Sequence, residues 1–185
     1  YGFRRSGDVA KLILKEDIYN YKIIKPSPLK KGKKIISSTL IRKLLQRGQL
    51  KNANKLLGRN WSIIGVVQKG RRIGKKLGVP TCNIDIKNYV IAKPGVYSVR
   101  VKVNNSNKIF KGIANLGYRP TFGEKKILLE VNLFNFSGNL YNKSLNVSFY
   151  NFIRSEKKFN DHQDLIKQIE KDLKQAKFDL KKNNE

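Results

Sequence analysis

Residues 70–83 carry the densest group of features suited to phosphate chemistry. The segment reads Gly-Arg-Arg-Ile-Gly-Lys-Lys-Leu-Gly-Val-Pro-Thr-Cys-Asn, with glycines at Gly70, Gly74 and Gly78. Glycine lets the backbone approach a ligand closely, and exposed backbone N–H groups bind phosphate oxygens. The spacing differs from that of the G-x-x-x-x-G-K-[ST] loop. The segment therefore predicts either a different phosphate-binding loop or a solvated hairpin, since glycine is also the commonest turn residue.

Thr81 and Asn83 end this segment. Pro80 favours extended geometry in the preceding residue, and residues two apart in an extended chain face the same side. The Thr81 hydroxyl and the Asn83 amide are therefore expected on one face. Two neutral oxygens beside a phosphate loop suit Mg²⁺, which takes most of its charge compensation from the phosphates. The alternative is a polar turn cap, because Thr and Asn are both common in turns.

Glu130 is the single carboxylate in the apolar run 127–134, which reads Ile-Leu-Leu-Glu-Val-Asn-Leu-Phe. A Glu in a strand lies either on a solvated face or at a site held by the sheet. In the second case it is suited to act as a general base. Arg154, just before the last predicted helix, is expected either to anchor that helix or to contact a ligand.

Short apolar runs separated by turn residues predict β-strands in the second half of the chain. Their spacing favours an antiparallel barrel or sandwich. The predicted strands cover residues 62–68, 96–103, 109–116, 127–134 and 145–152, and residues 115–123 are predicted to form a loop.

Helical patterns flank these strands. Hydroxyl residues at 37–39 are typical of a helix N-cap, and the helix they begin is predicted to end near Gly48. A second helix is predicted from Leu50 to Leu57, and a capping-box pattern from Asn160 to Gln163 begins a final amphipathic helix. Residues 19–35 are predicted to form a connector with a short strand around residues 21–24.

The composition excludes several classes of protein. The chain has 185 residues with one Cys and one His, which excludes a disulfide framework and a His/Cys zinc site. No apolar run reaches the roughly 18 residues of a membrane span. These features predict a soluble, cytoplasmic protein with no membrane partner.

The formal net charge of +27, from 40 Lys+Arg and 13 Asp+Glu, suggests a polyanionic partner. A lysine-loaded surface is the competing interpretation, because the lysines are scattered and no aromatic RNA-binding signature is present. We therefore expect no specific nucleic-acid partner. A basic nucleic-acid-binding β-barrel without catalysis remains the alternative function, and a purely structural accessory domain is a further one.

Five segments, in this order, resemble the riboflavin kinase family: residues 70–83, 115–123, 129–131, 139–141 and 153–156. The first 58 residues resemble the end of the FMN adenylyltransferase domain that precedes the kinase in bifunctional bacterial enzymes. Residues 1–8 match its glycine/arginine stretch. Its I-S-S-T-x-I-R nucleotide motif is matched by Ser37, Ser38, Thr39 and Arg42. The resemblance implies an adenylyltransferase remnant plus linker at 1–58 and a riboflavin kinase domain at 59–185. Together with the absence of methionine, it leads us to expect the C-terminal piece of a longer protein.

The resemblance also implies a fold and an activity. The fold is a six-stranded antiparallel Greek-key barrel with a C-terminal α-helix, preceded by a short helical remnant of an α/β nucleotidyltransferase domain. The activity is Mg²⁺-dependent transfer of the ATP γ-phosphate to the riboflavin 5′-hydroxyl, which gives FMN and ADP.

The resemblance assigns roles to residues as follows. Glu130 is the catalytic base, and Thr81 and Asn83 bind Mg²⁺. Arg154 and Phe159 contact the flavin. The ATP-binding residues are Gly70, Gly74, Lys75, Gly78, Thr81 and Asn83.

FMN adenylyltransferase activity is expected of a full-length bifunctional protein and not of this chain. That activity needs the nucleotide-binding half with an H-x-G-H signature. The sole histidine of this chain, His162, lies in the last predicted helix.

Overall fold

The computed structural model describes residues 7–32, 34–70, 74, 78–86, 89–104, 106–120, 125–159 and 161–181. The described residues up to Ile36 form one compact unit, and those from Ser37 onward form another. The first unit contains helices α1 (Val9–Ile13) and α2 (Glu16–Tyr19) and the antiparallel pair β1 (Lys30–Lys31) and β2 (Lys34–Ile35).

The prediction of a strand around residues 21–24 is wrong, because this segment has no regular secondary structure. Its polar groups bind the preceding helices instead. The Ile23 backbone N–H donates to the Glu16 carboxylate, and the Tyr21 hydroxyl donates to the Leu12 carbonyl over 2.6 Å. The backbone of this segment is therefore tied to side chains and helix carbonyls rather than to a partner strand.

The second unit opens with the predicted helical hairpin, which is confirmed as α3 (Ser38–Gln46) and α4 (Leu50–Leu57). The Ser37 hydroxyl accepts a hydrogen bond from the Leu40 backbone N–H, as an N-cap residue does. Gly58 ends α4 with φ at +68°, a left-handed conformation that glycine adopts without penalty.

Six strands follow and close into an antiparallel barrel in the order β3-β4-β7-β6-β5-β8. Helix α5 (His162–Lys181) then packs against β5, β6 and β8. The predicted six-stranded antiparallel barrel with a C-terminal helix is confirmed. The strands are β3 (Ser62–Gln68), β4 (Cys82–Asp85), β5 (Gly95–Val103), β6 (Ile109–Pro120), β7 (Lys125–Leu133) and β8 (Ser144–Ser155).

Several strand boundaries differ from the sequence predictions, most of all the end of β6. Strand β6 continues to Pro120 instead of ending at Leu116, because residues 115–120 pair one by one with residues 125–130 of β7. The predicted cap Asn160 lies outside the described residues. At the start of α5, the Asp161 carboxylate accepts the Asp164 backbone N–H over 2.8 Å.

The strands alternate between the barrel core and the outer face. Ile84, Leu129 and Leu116 stand opposite one another on β4, β7 and β6 and are buried inside the barrel. The neighbouring positions on each strand face outward, because successive strand residues point to opposite sides. This alternation fixes which side chains of β7 are available for a site on the outer face.

Asn54 of α4 joins the helical hairpin to the barrel. Its Nδ2 donates to the Phe149 carbonyl and to Asn60 Oδ1, each over 2.9 Å, and its Oδ1 accepts the Trp61 backbone N–H over 2.8 Å. The Trp61 ring packs on the Phe149 ring at a centroid distance of 4.6 Å. The hairpin is thus bonded to the strands at a largely buried aromatic contact.

We predict that Asn54→Ala lowers the free energy of unfolding by about 1–3 kcal/mol, because it leaves the backbone N–H of the buried Trp61 without a partner. The measurement is urea unfolding followed by tryptophan fluorescence. Asn52→Ala, at an exposed position on the same helix, is the matched control and should change stability by less than about 0.5 kcal/mol. Equal stability of the two variants would contradict this role of Asn54.

Candidate active site

Three polar side chains form a row across the outer face of the barrel. Glu130 on β7 stands opposite Asn83 on β4 and opposite Asn115 on β6. Directly opposed residues in antiparallel strands have Cβ atoms roughly 4.5–5.5 Å apart. The strand register therefore places one carboxylate between two carboxamides.

This row lines a cavity of about 430 Å³. The volume lies within the roughly 300–1,000 Å³ typical of small-molecule sites. One wall is formed by Thr81, Asn83, Asn115, Glu130 and Asn132 of the barrel strands and the turn that leads into them. The facing wall is largely apolar and includes Leu165, Ile169 and Leu173 of α5.

Gly70 leaves the space that the Asn83 side chain occupies. A Cβ at position 70 would lie 1.6 Å from Asn83 Nδ2. Asn83 is 6% exposed, and its Oδ1 has no hydrogen-bond partner among the described residues. A buried carbonyl oxygen without a partner is costly, so this atom is suited to receive a ligand or a cation.

Thr81 stands next to Asn83 on the cavity wall. The Asn132 carboxamide holds the turn before β4 by donating to the Pro80 carbonyl over 2.7 Å. Gly74 also lines the cavity, and a Cβ there would lie 3.1 Å from Thr81 Oγ1. Gly78 has φ at +73°, and a Cβ there would have no neighbour within 4 Å among the residues that the structure describes. Lys75 lies outside the described residues.

Arg154 lies on β8, and its side chain binds α5. Its guanidinium meets the Asp172 carboxylate at 2.8–3.0 Å through Nε and one terminal nitrogen. The guanidinium carbon lies 5.8 Å from the centre of the Phe159 ring. Both Arg154 and Phe159 line the cavity, so the side chain that anchors the helix also borders the space for a ligand.

Glu156 is a second carboxylate at the cavity. Desolvation raises the pKa of this carboxyl group, and the charge of Arg154 acts in the opposite direction. A Cβ at Gly117 would lie 2.0 Å from Glu156 Oε1. Glycine at position 117 therefore permits the close approach of this carboxylate to β6.

Other side chains of the sequence analysis lie away from the cavity. Cys82 is paired with Val131 on the opposite face of β4, and burial raises the pKa of its thiol to about 11. The residues of the adenylyltransferase-like motif are exposed at the start of α3 and do not line the cavity: Ser37, Ser38, Thr39 and Arg42.

Sequence reasoning did not select Asn115, Asn132, Glu156 or Asp172 as site residues. Asn115 fell where the predicted strand 109–116 and the predicted loop 115–123 overlap, and its place beside Glu130 follows only from the β6–β7 register. Asp172 carried a usable signal, because it is the one acid in the apolar stripe of α5, between Ile169 and Ala176, and is 4% exposed. A charged residue at a core position of a helix indicates a buried partner.

Within the described ranges, no three His, Cys, Asp or Glu side chains come together to hold a metal ion, and no helix is long and apolar enough to cross a membrane.

Comparison with known proteins gives a family match over most of the barrel unit. The riboflavin kinase family model matches residues 57–180. A bifunctional riboflavin kinase/FMN adenylyltransferase from Buchnera aphidicola subsp. Schizaphis graminum is 43% identical over 182 residues, which cover 96% of this chain and 57% of the relative. The chain spans about half the length of the curated relatives it matches.

Solved structures give the same fold. A Streptococcus pneumoniae chain described as a macrolide-efflux protein has a TM-score of 0.75 and 31% identity, covering 88% of this chain and 54% of that chain. The riboflavin kinase of Trypanosoma brucei has a TM-score of 0.52 and 21% identity, covering 66% and 80%, and supports the fold alone. The alternative of a basic nucleic-acid-binding barrel is not favoured by the family match. This chain belongs to the riboflavin kinase family, as the match over residues 57–180 shows and as its closed barrel agrees with.

Proposed function

We propose that this chain transfers the γ-phosphate of ATP to the 5′-hydroxyl of riboflavin and releases FMN and ADP. The observation that carries this proposal is the row of Asn83, Glu130 and Asn115 in a cavity with one polar and one apolar wall. Phosphoryl transfer requires positioning and charge stabilisation more than covalent chemistry. A site with one aligned carboxylate and several carboxamides meets that requirement.

The two walls suit the two parts of riboflavin. The isoalloxazine ring is large and planar with an apolar dimethylbenzene part, and it would lie against the α5 wall and Phe159. The ribityl chain carries hydroxyl groups and would lie along the carboxamides of the strand wall. This orientation directs the terminal hydroxyl toward Glu130, which stands in the middle of that wall.

Glu130 would accept the proton of the riboflavin 5′-hydroxyl as the oxygen attacks the γ-phosphorus. The bond between this phosphorus and the β–γ bridging oxygen breaks, and ADP leaves. A strand residue paired on both sides is held rigidly, so its carboxylate keeps a fixed place for a proton transfer that works over roughly 2.6–3.2 Å. Gly70, Gly74, Gly78 and Lys75 would border the ATP phosphates.

Thr81 and Asn83 fit a Mg²⁺ ion that accompanies ATP. Magnesium prefers hard oxygen ligands, and Asn83 Oδ1 is a buried oxygen without a partner in the described part of the chain. When bound, the ion would neutralise charge on the phosphates. In this assignment the Thr81 hydroxyl and Asn83 Oδ1 would hold the ion, and glycine at position 70 leaves room for the Asn83 amide.

Residues 1–58 would be the end of an adenylyltransferase domain, followed by the kinase domain at 59–185. The exposed motif Ser37, Ser38, Thr39 and Arg42 begins α3 and lies outside the cavity. In a full-length bifunctional protein these residues would contribute to the synthesis of FAD from FMN.

The purified chain is expected to convert riboflavin to FMN with ATP and Mg²⁺, measured by chromatographic separation of the flavins.

Glu130→Gln keeps the size of the side chain but cannot accept the proton, so kcat should fall about 10²–10⁴-fold while riboflavin still binds. Glu170→Gln, an exposed carboxylate on α5, is the control and should keep the parent rate. A folded Glu130→Gln variant with the parent kcat would remove Glu130 from the mechanism.

Gly70→Ala should impair activity at limiting Mg²⁺, because its Cβ would displace the Asn83 amide. Asn83→Ala should have a similar effect, and the double variant should be little worse than either single one, since both changes remove the same ligand. Thr81→Ala should also raise the Mg²⁺ concentration needed for half-maximal rate. The measurement is the Mg²⁺ concentration for half-maximal rate, and strictly additive losses in the double variant would contradict the link between Gly70 and Asn83.

We expect no FAD when the chain is incubated with FMN, ATP and Mg²⁺. The chain lacks an H-x-G-H signature, and its only histidine begins α5. Chromatography of the flavins against a no-enzyme control is the measurement. FAD above that control would show that the chain itself carries adenylyltransferase activity.

A further inference from the structure

The pair of Arg154 and Asp172 joins the two walls of the cavity. Arg154 stands on β8 opposite Val96 of β5, and Asp172 lies on α5 between Ile169 and Leu173. All five residues line the cavity. The pair is therefore part of the site itself and also the direct link between the barrel and the helix at this place.

The geometry of the pair is that of a strong, shielded contact. Arg154 Nε lies 2.9 and 3.0 Å from the two Asp172 oxygens, and a terminal nitrogen lies 2.8 Å from Oδ2. The Arg154 side chain is 22% exposed and that of Asp172 is 5% exposed. Gln168, one helical turn earlier, donates to Asp172 Oδ1 over 2.9 Å. Such a two-pronged Arg–carboxylate contact fixes orientation as well as distance.

The same guanidinium group borders Phe159. Its other terminal nitrogen donates to the Ser155 carbonyl over 2.9 Å, and the group lies 5.8 Å from the centre of the Phe159 ring. With Nε and both terminal nitrogens bonded, the guanidinium plane cannot turn freely. Asp172 thereby restrains both the α5 wall and the Arg154 guanidinium group beside the Phe159 ring.

We propose that Asp172 is a positioning residue for the flavin ring, acting through Arg154 and supported by Gln168. This inference rests on the proposed riboflavin kinase function. Without the carboxylate, Arg154 loses its fixed orientation and the middle of α5 loses its ion pair with β8. The apolar slot for the ring then loosens, whereas Glu130 and the ATP-side residues on β4 and β7 keep their places. The predicted consequence is weaker flavin binding with little change in ATP binding.

Asp179 offers a matched comparison on the same helix. It lies seven residues, about two turns, beyond Asp172 and also bonds to the barrel. Its carboxylate accepts from Asn151 Nδ2 over 2.9 Å and from Ser98 Oγ over 3.3 Å, and Gln175 donates to its other oxygen over 2.8 Å. None of these four residues lines the cavity. Asp179 therefore anchors the helix without bordering the site.

The test compares Asp172→Asn with Asp179→Asn. Riboflavin affinity is measured by quenching of flavin fluorescence on titration with the chain, the KM values for riboflavin and ATP are measured separately, and thermal melting reports folding. For Asp172→Asn we expect the riboflavin Kd and KM to rise about tenfold or more, with the ATP KM and kcat changed less than about threefold. For Asp179→Asn we expect a lower Tm with unchanged riboflavin Kd. Gln168→Ala should weaken riboflavin binding by a smaller factor.

A second variant covers the case in which Asp172→Asn fails to fold. Arg154→Met combined with Asp172→Leu removes both charges, and replacing a buried ion pair by apolar residues of similar size generally preserves folding. This double variant should fold and still bind riboflavin at least about tenfold more weakly.

Several results would overturn the inference. Unchanged riboflavin affinity in folded variants lacking Asp172 would do so, as would equal losses in Asp172→Asn and Asp179→Asn. If the parent chain binds riboflavin but makes no FMN, and Asp172→Asn binds it more weakly, the positioning role stands and the proposed kinase activity falls. If the parent chain binds no riboflavin, both are overturned.

Discussion

Strand β7 pairs with β4 on one side and β6 on the other, and the register of these two ladders determines what the cavity contains. Asn83, Glu130 and Asn115 are aligned because the three residues oppose one another in that register. A shift by one residue would turn Glu130 into the barrel core and bring an apolar neighbour to the outer face. The buried row of Ile84, Leu129 and Leu116 opposes such a shift, because those side chains fill the core. Packing of these core side chains thus determines that Glu130 lies on the outer face of the barrel.

The second wall depends on how α5 lies on the barrel. Asp172 and Asp179 lie about two turns apart on α5 and both bond to strand residues, so the helix is held both at the cavity and beyond it. In a chain with 40 basic and only 13 acidic residues, three of the acids line this one cavity: Glu130, Glu156 and Asp172. The basic excess favours anionic ligands in general. Each acid of the cavity has a specific neighbour. Glu130 lies beside carboxamides, Glu156 lies against Gly117, and Asp172 binds Arg154.

The sequence predicted the parts of the fold and site that rest on local patterns. Strand alternation, the Ser37 cap and the helical stripe identified the hairpin, most strands and α5, and the family resemblance supplied the closed barrel. Glu130 was selected because a lone acid in an apolar strand is conspicuous. Asn115 was missed because its role follows from pairing between β6 and β7, which no local pattern encodes. Arg154 had two open interpretations, and only the position of Asp172 18 residues later identified it as a helix anchor. The prediction of a strand around residues 21–24 was wrong because the Glu16 carboxylate binds the Ile23 backbone N–H, which a partner strand would otherwise bind.

A crystal structure of the chain with riboflavin, ADP and Mg²⁺ tests most directly whether the β4–β7–β6 register builds the active site. We expect the ribityl 5′-hydroxyl within roughly 2.6–3.2 Å of a Glu130 carboxylate oxygen, in the range for proton transfer. We also expect the flavin ring between α5 and Phe159, with Asn83 Oδ1 facing the cation. A flavin bound elsewhere on the barrel, or bound in this cavity with its 5′-hydroxyl away from Glu130, would show that the β4–β7–β6 register does not build the active site.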